Sequence, residues 1–184
     1  MQLSRETLLP RLAAHVLEHG LGGASLRPLA RAAGTSDRML IYHFGCKEDL
    51  VSALLAHLGD AFRRVLDETL PPGRFACERE GVVAILALMR AEQAAGFQRV
   101  WFDILGASAR GSMVHRATGR EIMRSLHDWL TARMPEGTAG APARAADLLI
   151  RIEGILVAAE VGLDDLAEAA ISRVCVQETD DGQI

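Results

Sequence analysis

Residues 25–47 read SLRPLARAAGTSDRMLIYHFGCK. This run carries two short helical patterns with a turn between them. Leu26, Leu29, Ala30 and Ala33 fall at i, i+3, i+4 and i+7, the spacing of one buried helical face. Ser25 stands just before them, where a hydroxyl can accept from a free backbone N–H. Pro28 falls in the first turn, where its missing N–H costs little. Gly34 supplies the positive φ that ends such a helix. Thr35 and Ser36 offer caps for a second helix, Asp37–Phe44, with Asp37 facing the positive end of its dipole. Leu40 and Phe44 form its apolar back, Arg38, Met39 and His43 point elsewhere, and Gly45 stops it.

A helix, a glycine turn and a second helix make up the helix-turn-helix plan, whose second helix fits the DNA major groove and offers its N-terminal residues to base edges. The same spacing also suits an ordinary αα-hairpin within a helical core. The wider wording separates the two. Gly20 to Gly23, Ser25, Leu29-Ala30, Gly34-Thr35-Ser36, Tyr42-His43-Phe44 and Lys47-Glu48-Asp49-Leu50 resemble the DNA-binding domain of the TetR family of transcriptional regulators. The resemblance is close over about the first fifty residues and is limited beyond them to length and helical plan. Two departures stand out. Leu40-Ile41 replaces the family's frequent Leu-Tyr, and Asp37-Arg38 stands where a basic residue followed by glycine is common. Phosphate contacts and base preference should therefore differ from those of common members.

The resemblance implies an all-α chain: a three-helix helix-turn-helix domain over residues 1–47, and a linking helix into a larger helical regulatory, ligand-binding and dimerisation domain over 48–184. It implies a homodimeric regulator, most simply a repressor, that binds a pseudo-palindromic operator and is released by a small molecule. The expected DNA-binding residues are Ser25, Arg27, Thr35, Ser36, Asp37, Arg38, Met39, Tyr42, His43 and Lys47. Arg38 is the expected base reader, since arginine pairs bidentately with guanine; Arg27 is the second candidate. Ser25, Ser36, Tyr42, His43 and Lys47 are expected on the DNA backbone.

Charge agrees with this division. The chain is acidic, at −4, yet its first 47 residues hold six cations against three carboxylates, +3, and the remaining 137 carry −7. One cationic end on an acidic body is the asymmetry expected where one end meets phosphate. Lys47 is the chain's only lysine.

The 49% apolar fraction over 184 residues suits a helical protein with a sizeable core. No apolar run reaches the ~18 residues of a membrane span, and no signal peptide is legible, so a cytoplasmic chain is expected. Cys46, Cys77 and Cys175 are far apart and have no metal spacing. No cofactor and no metal are expected.

Before the motif, residues 3–18 read as a first helix, with Leu8, Leu12, Ala13, Val16 and Leu17 as its apolar stripe. Pro10 predicts either a start near Leu9 or a kinked turn over residues 4–7, with Arg5 or Thr7 near the DNA backbone. After it, Lys47 to about Leu70 is the linking helix, stopped by Pro71-Pro72-Gly73. Further helices are expected over 81–95, 97–109, 113–134, 143–161 and 164–176, with a loop at 135–142 and a polar tail beyond 177.

The middle helices are the expected effector site, because apolar walls with a few polar groups make small-molecule pockets. The candidates are Met89, Gln93, Phe97, Trp101, Phe102, Leu105, Met123 and His127, with Asp103 and Arg116 as further polar groups; a plain core accounts for the same apolar stripes. Arg90, Arg99, Arg110 and Arg120 read as solvated faces or ion pairs. The helix over 143–161 is apolar nearly all round and so must be covered on both sides. In the family the last two helices form the dimer interface, and the candidates here are Leu149, Ile152, Leu156, Leu163, Leu166, Ala170, Ile171 and Val174.

Two rival readings remain. One is a DNA-binding regulator or interaction module with no small-molecule inducer. The other is a zinc hydrolase, since His15-Val16-Leu17-Glu18-His19 matches H-x-x-E-H. That motif is short and sits at a helix end where histidine is favourable against the dipole. No third ligand is evident, and neither a G-x-S-x-G elbow nor a phosphate-cradling loop occurs.

Overall fold

The computed structural model describes residues 3–23 and 25–174, which form nine α-helices and one short 3-10 turn, with no strand among them. The chain resolves into two compact units. The first holds the described residues to Val65 together with Ala91–Met123, and the second holds Leu66–Arg90 with the described residues from Arg124.

In the first unit, α1 (Arg5–His19) is followed by the turn Leu21–Gly23, α2 (Leu26–Ala32) and α3 (Asp37–Phe44). Most of α4 (Lys47–Thr69), all of α6 (Glu92–Ala109) and the first part of α7 (Met113–Arg133) complete it. Leu8, Leu12, Val16, Leu29, Leu40, Phe44, Leu50 and Leu54 are buried together with Val100 and Ile104 of α6. The periodic apolar positions of every head helix therefore meet in one core.

Local sequence rules hold here with three corrections. The first helix starts at Arg5, ahead of Leu9, and continues through Pro10, which lies inside it. The cause is a capping box: the Thr7 N–H donates to Ser4 Oγ at 3.3 Å, and the Ser4 N–H donates to Thr7 Oγ1 at 2.9 Å. An internal proline costs about 3 kcal/mol. Burying Leu8 and Leu12 completely, at about 1.5–3 kcal/mol each, offsets that. Second, Ser25 takes the N-cap conformation of α2 but makes no side-chain cap bond, whereas Ser36 caps α3 by accepting from the Met39 N–H at 3.3 Å. Third, the break expected at Gly96 falls at Ala91, which is extended (φ −73°, ψ 145°). Gly96 lies within α6, where a Cβ would sit 2.8 Å from the Leu17 carbonyl oxygen, so glycine there permits the close packing of α6 on α1.

In the second unit, α8 (Ala141–Glu160) packs against α5 (Glu78–Arg90) and α9 (Asp164–Val174). Trp129 is buried, donates through Nε1 to Asp67 at 2.8 Å and lies under the Arg133 guanidinium at 4.5 Å; Arg133 also donates to Asp67 at 2.7 Å. The loop expected over 135–142 spans 135–140, because α8 begins at Ala141 with Pro142 in its first turn. Residues 175–184, with Cys175 and the expected tail, lie outside the described residues. No helix among the described residues is long and apolar enough to cross a membrane.

Candidate nucleic-acid interface

The face of α3 opposite Leu40 and Phe44 is open. Asp37 and Arg38 are exposed in the first turn, and Tyr42 is 78% exposed although it is aromatic. Met39 and His43 are half-buried beside them, and the His43 ring meets Tyr42 edge-on at 5.3 Å. Ser25 and Arg27 on α2, Ser36 at the cap and Lys47 at the start of α4 are exposed, with Thr35 half-buried. The ten residues expected on DNA thus come from α2, α3, the turn between them and the start of α4. Cys46 accepts from the Asp49 N–H at 3.4 Å. That bond favours the thiolate, but the Asp49 side chain, slight desolvation and the Glu48 side chain together outweigh it and hold the thiol pKa above its ordinary value.

The sequence did not reveal what aims this face. Arg5 Nε donates to the His43 carbonyl at 2.6 Å, and its guanidinium lies 5.4 Å from the centre of the Phe44 ring. Arg11 donates to the Ala33 carbonyl at 3.1 Å. Two arginines of α1 therefore take up carbonyls at the C-terminal ends of α2 and α3, where the helix dipole welcomes a cation. These partners lie 38 and 22 residues away, beyond any local signal.

Of the expected effector residues, Gln93, Phe97, Trp101, Phe102, Leu105 and Met123 belong to the first unit, and Met89 and His127 to the second. Phe97 and Trp101 are partly buried against the head core, with Phe97 5.3 Å from the Phe62 ring; Leu105 and Gln93 are exposed, and Met89 is buried. His127 is held by the Pro142 carbonyl at 2.8 Å and Asp128 at 3.2 Å, and these raise its pKa in that order. Asp103 accepts from the Leu21 N–H at 2.7 Å, and Arg116 donates to the Ser108 carbonyl at 3.5 Å.

Among the expected interface residues, Leu149, Ile152, Leu156 and Val174 are buried within the chain itself. Leu163, Leu166 and Ala170 are exposed, and Ile171 is half-buried. Ile150 (64% exposed) and Val157 on α8, and Val161 just past its end, add further uncovered apolar side chains. A groove of about 800 Å³ runs between α8 and α9, lined by Gly154, Ala158, Leu166, Ala170, Arg151 and Arg173 among others.

The H-x-x-E-H segment does not gather a site. The His15 and His19 rings stack at 4.3 Å, and His19 Nδ1 lies 3.0 Å from the His15 carbonyl. Among the described residues no group of three His, Cys, Asp or Glu side chains could hold a metal ion.

Residues 12–54 match the model of the bacterial regulatory proteins of the tetR family. That match is confined to the helix-turn-helix end of the chain. Solved structures share its fold across nearly the whole chain. A transcriptional regulator from Rhodococcus sp. Rha1 is 24% identical, with 94% of each chain covered and a TM-score of 0.70. A TetR-family regulator from Cytophaga hutchinsonii is 14% identical, with 95% of this chain and 94% of that one covered and a TM-score of 0.71. The multidrug binding protein EbrR, complexed with imidazole, is 19% identical, with 92% and 88% covered and a TM-score of 0.67. A comparison with curated protein sequences finds no match. At these identities the structural likenesses establish the fold alone. Residues 12–54 thus match the DNA-binding region of bacterial regulators, and beyond them the likeness is one of fold.

Proposed function

We propose that this chain is a ligand-responsive repressor of the TetR family that binds a pseudo-palindromic operator as a homodimer, with residues 1–47 reading DNA and 48–184 regulating and pairing. The observation that carries this reading is the open first turn of α3, with Asp37 and Arg38 exposed on a helix whose opposite side, Leu40 and Phe44, is locked in the core. Two such helices related by a two-fold axis would enter successive major grooves about 34 Å apart. Ile150, Val157, Leu163 and Leu166 support pairing, since a second copy would cover apolar surface that one chain leaves bare. The aromatic residues of α6, and the imidazole bound by EbrR, support a partly apolar small-molecule effector. The site of action is the cytoplasm, where the DNA is.

The test is footprinting of the protein on its own upstream DNA at two salt concentrations, with and without Arg38→Ala. One symmetric protected site, weakened by about 1–3 kcal/mol and relaxed at one base position on substitution, is the expected result. Weak binding blind to sequence and indifferent to Arg38 would overturn the reading.

A further inference from the structure

We infer that Arg99 and Asp103 of α6 are positioning residues for the DNA-reading helix, forming a route to it that does not run along α4. The inference rests on the function proposed above. It starts from how the three head helices end. Each has a carbonyl near its C-terminus taken by an arginine from another helix. Arg5 serves His43 of α3, and Arg11 serves Ala33 beside α2. The carbonyls of α1 are served from outside the head: Arg99 Nη1 donates to Glu18 at 2.7 Å and to Leu17 at 3.3 Å.

Asp103, one turn further along α6, accepts from the Leu21 N–H at 2.7 Å. The pair therefore brackets Gly20, whose φ of +74° disfavours any side chain and where a Cβ would lie 2.9 Å from Asp103 Oδ2. Gly96 closes the grip: a Cβ there would lie 2.8 Å from the Leu17 carbonyl oxygen. At about 100° per residue, Gly96, Arg99 and Asp103 share one face of α6, and Phe97, Trp101 and Leu105 lie on the roughly opposite face.

The bonds are thus in series. Charged groups on α6 fix the end of α1, and charged groups on α1 fix the ends of α2 and α3. All of these elements lie in one compact unit. A displacement of α6 by an effector on its aromatic face would reach Arg38 through α1.

The experiment uses the full-length protein and a duplex selected by the unsubstituted chain, with an unrelated duplex as control. Affinity is read at one salt concentration, and hydrogen exchange of the 92–109 amides is read with and without the selected duplex. Arg99→Ala and Asp103→Ala should each lose about tenfold on the selected duplex, within the usual range of coupling between sites, and little on the control. The selected duplex should slow exchange in α6 of the unsubstituted protein and cease to do so in both variants. Arg99→Lys, which keeps one donating cation, should recover part of both effects. Asp103→Ala stands in if Arg99→Ala does not fold. Unchanged affinity, or equal weakening on both duplexes, would overturn the inference and leave the proposed function intact. Failure of the unsubstituted chain to select any duplex would overturn both.

Discussion

Replacing Gly96 by alanine should destabilise this protein, although inside a helix that exchange normally helps. At an unobstructed helical position alanine gains about 1 kcal/mol over glycine. At Gly96 the new Cβ would meet Leu17 at 2.8 Å from its carbonyl oxygen, 3.1 Å from its Cβ and 3.3 Å from its carbonyl carbon. Favourable carbon–carbon contacts lie at about 3.5–4.0 Å. Two of the three atoms are backbone, held in place by Arg99, so no rotamer change relieves the contact. Overpacking of this kind costs about 1–3 kcal/mol. After the helical gain, a net loss of about 1 kcal/mol is expected. Gly59→Ala is the matched control: it also lies inside a helix, and its Cβ would meet only Ile122 at an ordinary 3.6 Å. The two variants should therefore move in opposite directions, about 2 kcal/mol apart, or roughly 4–8 °C in Tm for a chain of this size. Urea unfolding followed by far-UV circular dichroism reads this directly, at one fixed protomer concentration because pairing would shift the midpoint. A Gly96→Ala protein as stable as Gly59→Ala would refute the close approach of α1 and α6.

Three further outcomes are expected. Val157→Glu with Leu166→Glu should yield monomers in sedimentation with helical content unchanged, because both side chains are exposed in the single chain; retained pairing would move the interface elsewhere. His127 has a raised pKa, so its stabilisation is complete below its unfolded value near 6.5 and fades as pH rises through the folded value. His127→Gln should then lose most, relative to the unsubstituted protein, at acid pH in thermal melts from pH 5.5 to 8. Burial, then Arg110, lowers the pKa of His115, so the sign reverses: acid favours its unfolded state, and His115→Gln should gain at low pH. Melting curves that stay parallel across pH would contradict both.

What the sequence showed and what it hid follow from the range of each interaction. Leu26, Leu29, Leu40 and Phe44 were legible because a helix repeats its buried face every three to four residues, and that period needs no partner to be read. Gly34 was legible because only a residue free at positive φ suits its place, and φ there is +67°. Pro10 misled because its penalty is local while its compensation, the buried Leu8 and Leu12, is tertiary. Gly96 misled for a related reason: a glycine needed for close approach looks the same as one needed for a break. Arg99 read as a solvated arginine, and it is exposed, yet it binds carbonyls 81 and 82 residues earlier. On α8, apolar all round, composition implied two covered sides but not which was which. The chain itself covers Leu149, Ile152 and Leu156 and leaves Ile150 and Val157 bare.

Under the proposed function, an acidic chain must hold DNA with few cations. Of the six cations in the first 47 residues, Arg5 and Arg11 are bonded to carbonyls of the head, which leaves Arg27, Arg31, Arg38 and Lys47 exposed for phosphate or base. If all four met phosphate in each half of a dimer, log affinity would fall against log salt with a slope of about −7, and base reading by Arg38 would make it shallower. Lys47→Ala should lower that slope by about 1 per protomer and weaken binding to any duplex alike. Arg5→Ala should act differently. It removes a 2.6 Å charge-assisted bond and a cation–π contact that fix the end of α3, so it should weaken the selected site more than an unrelated one, with little change in slope. If Arg5→Ala instead reduces the slope as Lys47→Ala does, Arg5 is a phosphate ligand, and its bond to His43 does not persist on DNA.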